Sequence, residues 1–276
     1  MTAVKKRKHE GLVLFFLIFC LLLGTVVWWL IRVPSDNPVS QMLAQRSARR
    51  YLQVHYAEQD VYLDSVEFST RHCSYHALIR SHSSRDTEFL LILDGMGNVL
   101  HDTYERWVQS GCSTSHRLTQ AYDGLIEEVI LAPDFPWSVE RGSGYLYFLW
   151  DEKEQGAFAF GMPVSELQLD AEYDILQLGR EMGILKLKLS DSQVTAQRAA
   201  EMALDIRERF EKAQIPFRVL DLTLEDSRQK KDRAEDREIY AVLSYDDLYE
   251  EGLTARIENT HAVKKAYLQE REAGEE

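Results

Sequence analysis

"ILKLKLSDSQVTAQRAAEMALDIRERFEKAQIPFRVLDLTLE" runs from Ile184 to Glu225. Its first seven residues alternate apolar side chains with lysine and serine, the two-residue period of a strand with one face in water. The period then changes. Over 191–214 the residues Ala199, Met202, Ala203, Ile206, Phe210 and Ala213 fall on one helical stripe, with Asp191 or Ser192 as N-cap. "IPFRVLDLTLE" (215–225) returns to strand character. A strand, a helix and a strand with these periods place the segment in an α+β domain.

The pattern extends in both directions. "REIYAVLSYD" (237–246) reads as a further strand, reached through "DSRQKKDRAED", a loop of both charge signs that reads as solvated. The last helix is expected to start near Asp246, and its tail "REAGEE" to fray. On the other side, "AEYDILQLGREMG" (171–183) is a short helix that Gly183 stops. "GYLYFLW" (144–150) is a strong strand carrying Tyr145, Tyr147, Phe148 and Trp150, and alternation exposes some of these rings unless both faces are covered. "APDFPW" (132–137) holds two prolines and marks a domain boundary, so the second α+β domain is expected over 133–276.

The first α+β domain is expected over 40–132. Ser40 caps a helix to about Tyr56, with Leu43, Ala44, Ala48, Tyr51 and Leu52 on one face. Strand-like runs follow at 61–70, 73–82, 87–94 and 99–104, the last pair joined by the turn signal "DGMGN". "STSHRLTQAYDGLIEEVILA" (113–132) closes the unit as a helix with Leu118, Ala121, Tyr122, Leu125 and Val129 on one stripe.

Ahead of both domains, Gly11 to Ile31 contains no charged residue. At about 1.5 Å per residue, a helix of that length spans the ~30 Å hydrocarbon core. Trp28 and Trp29 lie at its far end, and Lys5, Lys6, Arg7 and Lys8 precede it. A cleaved signal peptide has a shorter apolar region, about 7–15 residues. The expectation is an uncleaved transmembrane helix at 11–31, with the lipid bilayer as its partner. A cytoplasmic basic segment (1–10) precedes it, a stalk (32–39) follows, and both domains lie outside the cell membrane of a single-pass protein.

The formal net charge is −13, and the first 33 residues carry five bases against one acid, so the remainder is more acidic still. Such a surface repels phosphate backbones and disfavours nucleic acid as a partner. Of the three cysteines, Cys73 and Cys112 are a candidate disulfide. It would close a loop of roughly 40 residues and contribute about 4 kcal/mol in the chain-entropy picture. Six of the eight histidines fall between 55 and 116. His72 and His76, taken as lying on one strand, would have Cα atoms ~13 Å apart, too far to share a zinc. Alternation puts His72, His76, Arg80 and His82 on a polar face and Cys73, Tyr75, Ala77 and Ile79 inward.

The chemistry-bearing motifs are missing. There is no G-x-S-x-G elbow, no H-E-x-x-H and no calcium-loop pattern. "GSG" (142–144) lacks the rest of a phosphate loop and reads as a hinge or turn. Asp246, Asp247, Glu250 and Glu251 could ligate calcium, but acids at a helix N-terminus also satisfy free amides, and capping is the preferred reading. No catalytic, cofactor-binding or metal-ligating residue is assigned.

The stretches "ARRYLQVHY", "LILDGMGNVLHDTYERWV", "GILKLKLSD", "AQIPFRVLDLTLE" and "YDDLYEEGLTARI" resemble the YfjL-like proteins of Gram-positive bacteria. The resemblance implies two consecutive domains behind an N-terminal anchor and carries no functional residue. The front portion is also loosely similar to PepSY-type modules. A competent core without a catalytic set points to a non-enzymatic binding or regulatory module with an unknown protein or envelope partner. The alternatives are an unrecognised extracytoplasmic hydrolase, or a structural component of an envelope complex working through the aromatic strand.

Overall fold

Residues 17–25, 37–150, 158, 160–227 and 238–275 are described by a computed structural model of the chain, which divides into two units, Met1–Ser113 and Thr114–Glu276. The first contains helix α1 (Pro38–His55). Asn37, not Ser40, is its N-cap: the Asn37 side chain accepts from the Ser40 amide at 2.8 Å, and Pro38 occupies the first turn, where its missing N–H costs nothing. Four strands follow, β1 (Val61–Ser69), β2 (Ser74–Ser81), β3 (Glu88–Leu93) and β4 (Val99–Asp102), paired in that order as an antiparallel meander. Alternation decides the inward face: Phe89, Leu91 and Leu93 are buried, as are Tyr75, Ala77 and Ile79. Ala44, Ala48 and Leu52 of α1 belong to the same core, and the two alanines let the helix lie close on the sheet. After β4 a single π-helical turn (Glu105–Gln109) adds Val108 to this core.

The outward face of α1 carries Arg46, Arg49 and Arg50, all exposed. Like charges three and four residues apart on a helix repel, at roughly 0.2–0.5 kcal/mol per pair. The helix contains no acidic residue to offset them.

Helix α2 (Cys112–Ile130) was expected to close the first domain. Its stripe of Leu118, Tyr122, Ile126 and Ile130 is instead buried in the core of the second unit. That core lines one face of a second four-stranded sheet of order β10-β9-β8-β5, built from β5 (Ser138–Leu146), β8 (Gly183–Asp191), β9 (Val219–Asp226) and β10 (Glu238–Ser244). β8 and β9 run parallel, and the other pairs are antiparallel. A parallel pair needs a crossover, supplied by helix α4 (Ala196–Ala213). Short helix α3 (Ile175–Met182) precedes β8, and α5 (Leu253–Glu275) follows β10. A small parallel pair, β6 (Phe148–Leu149) and β7 (Met162–Pro163), stands apart.

Leu185, Leu187, Leu189, Leu220, Leu222 and Leu224 point into the core. On the opposite face, Lys186 pairs with Asp221 at 3.6 Å and Lys188 with Glu225 at 2.6 Å. Partly exposed pairs of this kind contribute about 0–1 kcal/mol each and mainly fix which face is wet. Gly142 and Gly144 lie in mid-strand, neither hinge nor turn: a Cβ at Gly142 would stand 2.3 Å from Ile130 Cδ1, and one at Gly144 2.3 Å from Ile126 Cγ1. The glycines are what let α2 lie against β5. β10 is an edge strand whose outward Tyr240 N–H donates to His261 Nδ1 of α5 at 3.3 Å, so the helix covers that edge.

Three further expectations are corrected. Among the described residues no helix is long and apolar enough to cross a membrane. Residues 17–25 are helical. The remainder of 11–31, the basic segment 1–10 and most of the stalk lie outside the described residues. The expected transmembrane helix is therefore unsupported, and with it the single-pass location and the bilayer as partner. Helix α4 is capped by Thr195, whose hydroxyl accepts from Arg198 N, while Asp191 ends β8 and pairs with Arg198 at 3.0 Å. Helix α5 starts at Leu253 rather than near Asp246, so Asp246 to Glu251 precede it and do not cap it. Asp246 and Asp247 form a 3-10 turn with Tyr245. The charged segment 228–237 lies outside the described residues.

Candidate functional site

The second unit holds a cleft of about 540 Å³ where α4 ends and β9 begins. Helix α4 closes on Gln214 in the left-handed conformation (φ 60°), which reverses the chain. Ile215 N then donates to Phe210 O at 3.0 Å, and the turn runs through Pro216 and Phe217 into Arg218. Arg218 N donates to Gly183 O at 2.7 Å, and Tyr245 N to Arg218 O at 2.9 Å, so β8, β9 and the turn after β10 meet at this point. Below it, the Tyr122 hydroxyl donates to Pro216 O at 2.9 Å. Tyr122 fits because of two glycines: a Cβ on Gly179 would lie 2.7 Å from its Cε2, and one on Gly183 2.5 Å from its hydroxyl. Gly183 has φ −72°, so it is needed for this approach and not as a left-handed cap.

The floor is apolar. Phe210 and Phe217 are buried with ring planes perpendicular at 5.7 Å, and Tyr245 stands edge-on to Phe217 at 5.3 Å. Arg180, from the last turn of α3, and Arg218 line the same cleft. Arg218 faces Asp246 across 3.7 Å with both side chains substantially exposed, and its guanidinium lies 6.0 Å from the Phe160 ring. Arg180 has no carboxylate partner among the described residues.

The acids of the cleft are committed. Glu211 accepts from the Tyr245 hydroxyl and from Arg207 Nε at 2.8 Å. These two donors hold its carboxyl below the ordinary carboxylate range. Burial, then the hydrogen bond to Glu211, pushes the Tyr245 phenol up. Arg207 also lies 4.7 Å over the Tyr245 ring and donates to Leu248 O.

Other residues singled out by sequence are placed as follows. Cys73 is exposed, with φ 49° in the β1–β2 turn, while Cys112 is buried and accepts from Ser110 Oγ at 2.9 Å. No disulfide joins them. Because β2 begins only at Ser74, His72 lies in the turn and not on the strand, and its ring stacks on His76 with centroids 5.8 Å apart. Burial, then His72, lowers the His76 pKa. Among the described residues no group of three or more His, Cys, Asp or Glu could hold a metal. Of the aromatic strand, Phe148 is buried, Tyr145 and Tyr147 are half-buried and Trp150 is exposed. Tyr147 packs with Phe158 and Phe160. The cleft arginines carried no local sequence signal, since Arg180 and Arg218 sit in segments that read only as a helix end and a strand start.

The second unit is thus an α+β domain with a mixed four-stranded sheet and a cleft at the start of its parallel strands. Residues 124–258 match the model of the YfjL-like C-terminal domain, which bears out the resemblance read from the sequence. The match begins inside α2, in keeping with that helix belonging to the second unit. No curated protein matches the chain. A DUF5037 family protein from Ruminococcus gnavus is similar at 15% identity over 66% of this chain and 74% of its own, with a TM-score of 0.21.

Proposed function

We propose that the second unit is a non-enzymatic binding module whose cleft takes a ligand with an anionic group on an apolar body. One observation carries the reading: Arg180 opens onto an apolar-floored cleft without a carboxylate partner among the described residues, in a chain that is otherwise strongly acidic. A guanidinium in such a setting favours a carboxylate or phosphate with fork geometry. Pro216 and Tyr245 offer the surface on which the rest of the ligand lies, over the buried Phe217. Glu211 is not available as a general acid: the hydrogen bonds from Tyr245 and Arg207 hold its carboxyl below the ordinary carboxylate range, whereas a general acid at neutral pH needs a raised pKa.

The test is a titration of the isotopically labelled chain with 3-phenylpropanoate, followed by amide chemical shifts. Shifts at Gln214, Ile215, Phe217 and Arg218 are expected, with affinity reduced about tenfold in R180A or R218A. Equal binding of 2-phenylethylamine, or no shifts in this segment, would sink the reading.

A further inference from the structure

Helix α1 buries one face and leaves the other open. Along the open face, Val39, Met42, Arg46, Arg50 and Val54 follow one another at three- and four-residue steps, with Arg49 three residues after Arg46, all exposed, and Met42 with the three arginines lines a shallow groove. None of the three guanidiniums has an ion pair among the described residues, and α1 contains no Asp or Glu. The helix dipole does not account for them. Its pull on cations is confined to the last turn, where the basic residue is His55, and Arg46 lies well before it. Three unneutralised cations thus stand together on a chain with 45 acidic and 32 basic side chains.

We propose that this face docks a carboxylate-rich polypeptide segment of a partner protein. Charge complementarity selects the occupant. Arginine forks pair bidentately with carboxylates, and Met42, Val39 and Val54 give such a segment apolar footing. The stripe runs ~22 Å along the helix. A short acidic segment stays within that length. A nucleic acid or an anionic membrane extends beyond it, on a chain whose acids outnumber its bases. The proposal concerns the first unit alone and does not rest on the reading of the cleft.

The experiment uses the full chain and a rhodamine-labelled ten-residue glutamate peptide, read by fluorescence anisotropy. Saturable binding is expected, weakened at least about tenfold in R46E/R49E/R50E and lost as salt rises from about 50 mM to about 500 mM. R180A/R218A is expected to leave it unchanged. Circular dichroism checks the fold of the triple variant, and R46Q/R49Q/R50Q, which removes charge without reversing it, is expected to weaken binding in the same direction. The proposal is overturned if the peptide does not bind saturably or binds the triple variant equally well. It is also overturned if phosphatidylglycerol vesicles or a 20-nucleotide oligothymidylate bind the arginines more tightly than the peptide, or if these residues instead drive self-association of the chain.

Discussion

The Tyr122 hydroxyl donates to the carbonyl of Pro216, joining α2 to the turn that forms the cleft floor. Tyr122 is fully buried, and desolvation pushes its phenol pKa far up, so the group stays a donor at every accessible pH. Y122F leaves that carbonyl without its donor. A destabilisation of about 1–2 kcal/mol is expected in urea unfolding. In the same variant the amides of Ile215, Phe217 and Arg218 should shift. Wild-type stability together with an unchanged spectrum would refute this role.

Gly144 is predicted to be intolerant for a packing reason. An added methyl meets Ile126 on α2, so G144A is expected to cost about 1–3 kcal/mol through overpacking. I126A opens space at that contact, and the double variant G144A/I126A should be more stable than the sum of the single effects allows. Strict additivity would count against the clash.

Acid stability should depend on Glu211. Its carboxyl is depressed by the Tyr245 and Arg207 hydrogen bonds, so its contribution is present above the ordinary value of 4.5 and is lost as pH falls through the lower folded value. E211Q should flatten that part of the stability–pH curve and lower the plateau above pH 4.5, neutrality included, by a constant amount. Because Glu211 is half exposed, the effect is expected to be small, and thermal melts between pH 3 and 7 would resolve it.

His261 gives a second titration at higher pH. Burial, then Lys265, lowers its pKa from 6.5, and its neutral Nδ1 accepts from Tyr240 N–H. The stabilisation is complete above 6.5 and disappears as pH falls through the depressed value. The protection factor of the Tyr240 amide should fall on acidification in the wild type, and in H261F it should be low at both ends of the range. A Tyr240 amide that exchanges slowly in H261F would remove His261 from this role.

Much of the fold was legible because burial imposes a period. Phe89, Leu91 and Leu93 alternate, and Ala199, Met202, Ala203, Ile206 and Phe210 recur at helical spacing, and each set is buried. Ownership of a face was not legible. The stripe on α2 announced a buried side but could not say which sheet covers it, and the observed stripe uses Ile126 and Ile130 where Leu125 and Val129 were expected. The His72–His76 contact was missed because a turn at Cys73 replaces the extended geometry assumed for the strand. Gly142 and Gly144 resembled a flexible link because a close helix approach leaves no local trace beyond the missing side chain. The cleft was invisible for the same reason: Arg180, Arg218 and Tyr245 converge through tertiary contacts, and none belongs to a motif.

The contact between Tyr240 and His261 makes the final helix a guard rail. On the opposite rim of the sheet, β5 protects itself with an irregular register between Val139 and Arg141 and exposed charge at Glu140 and Arg141. β10 has no such defence of its own. A chain shortened before Leu253 would bare the outward amides of β10, and two copies would zip together rim to rim through that strand.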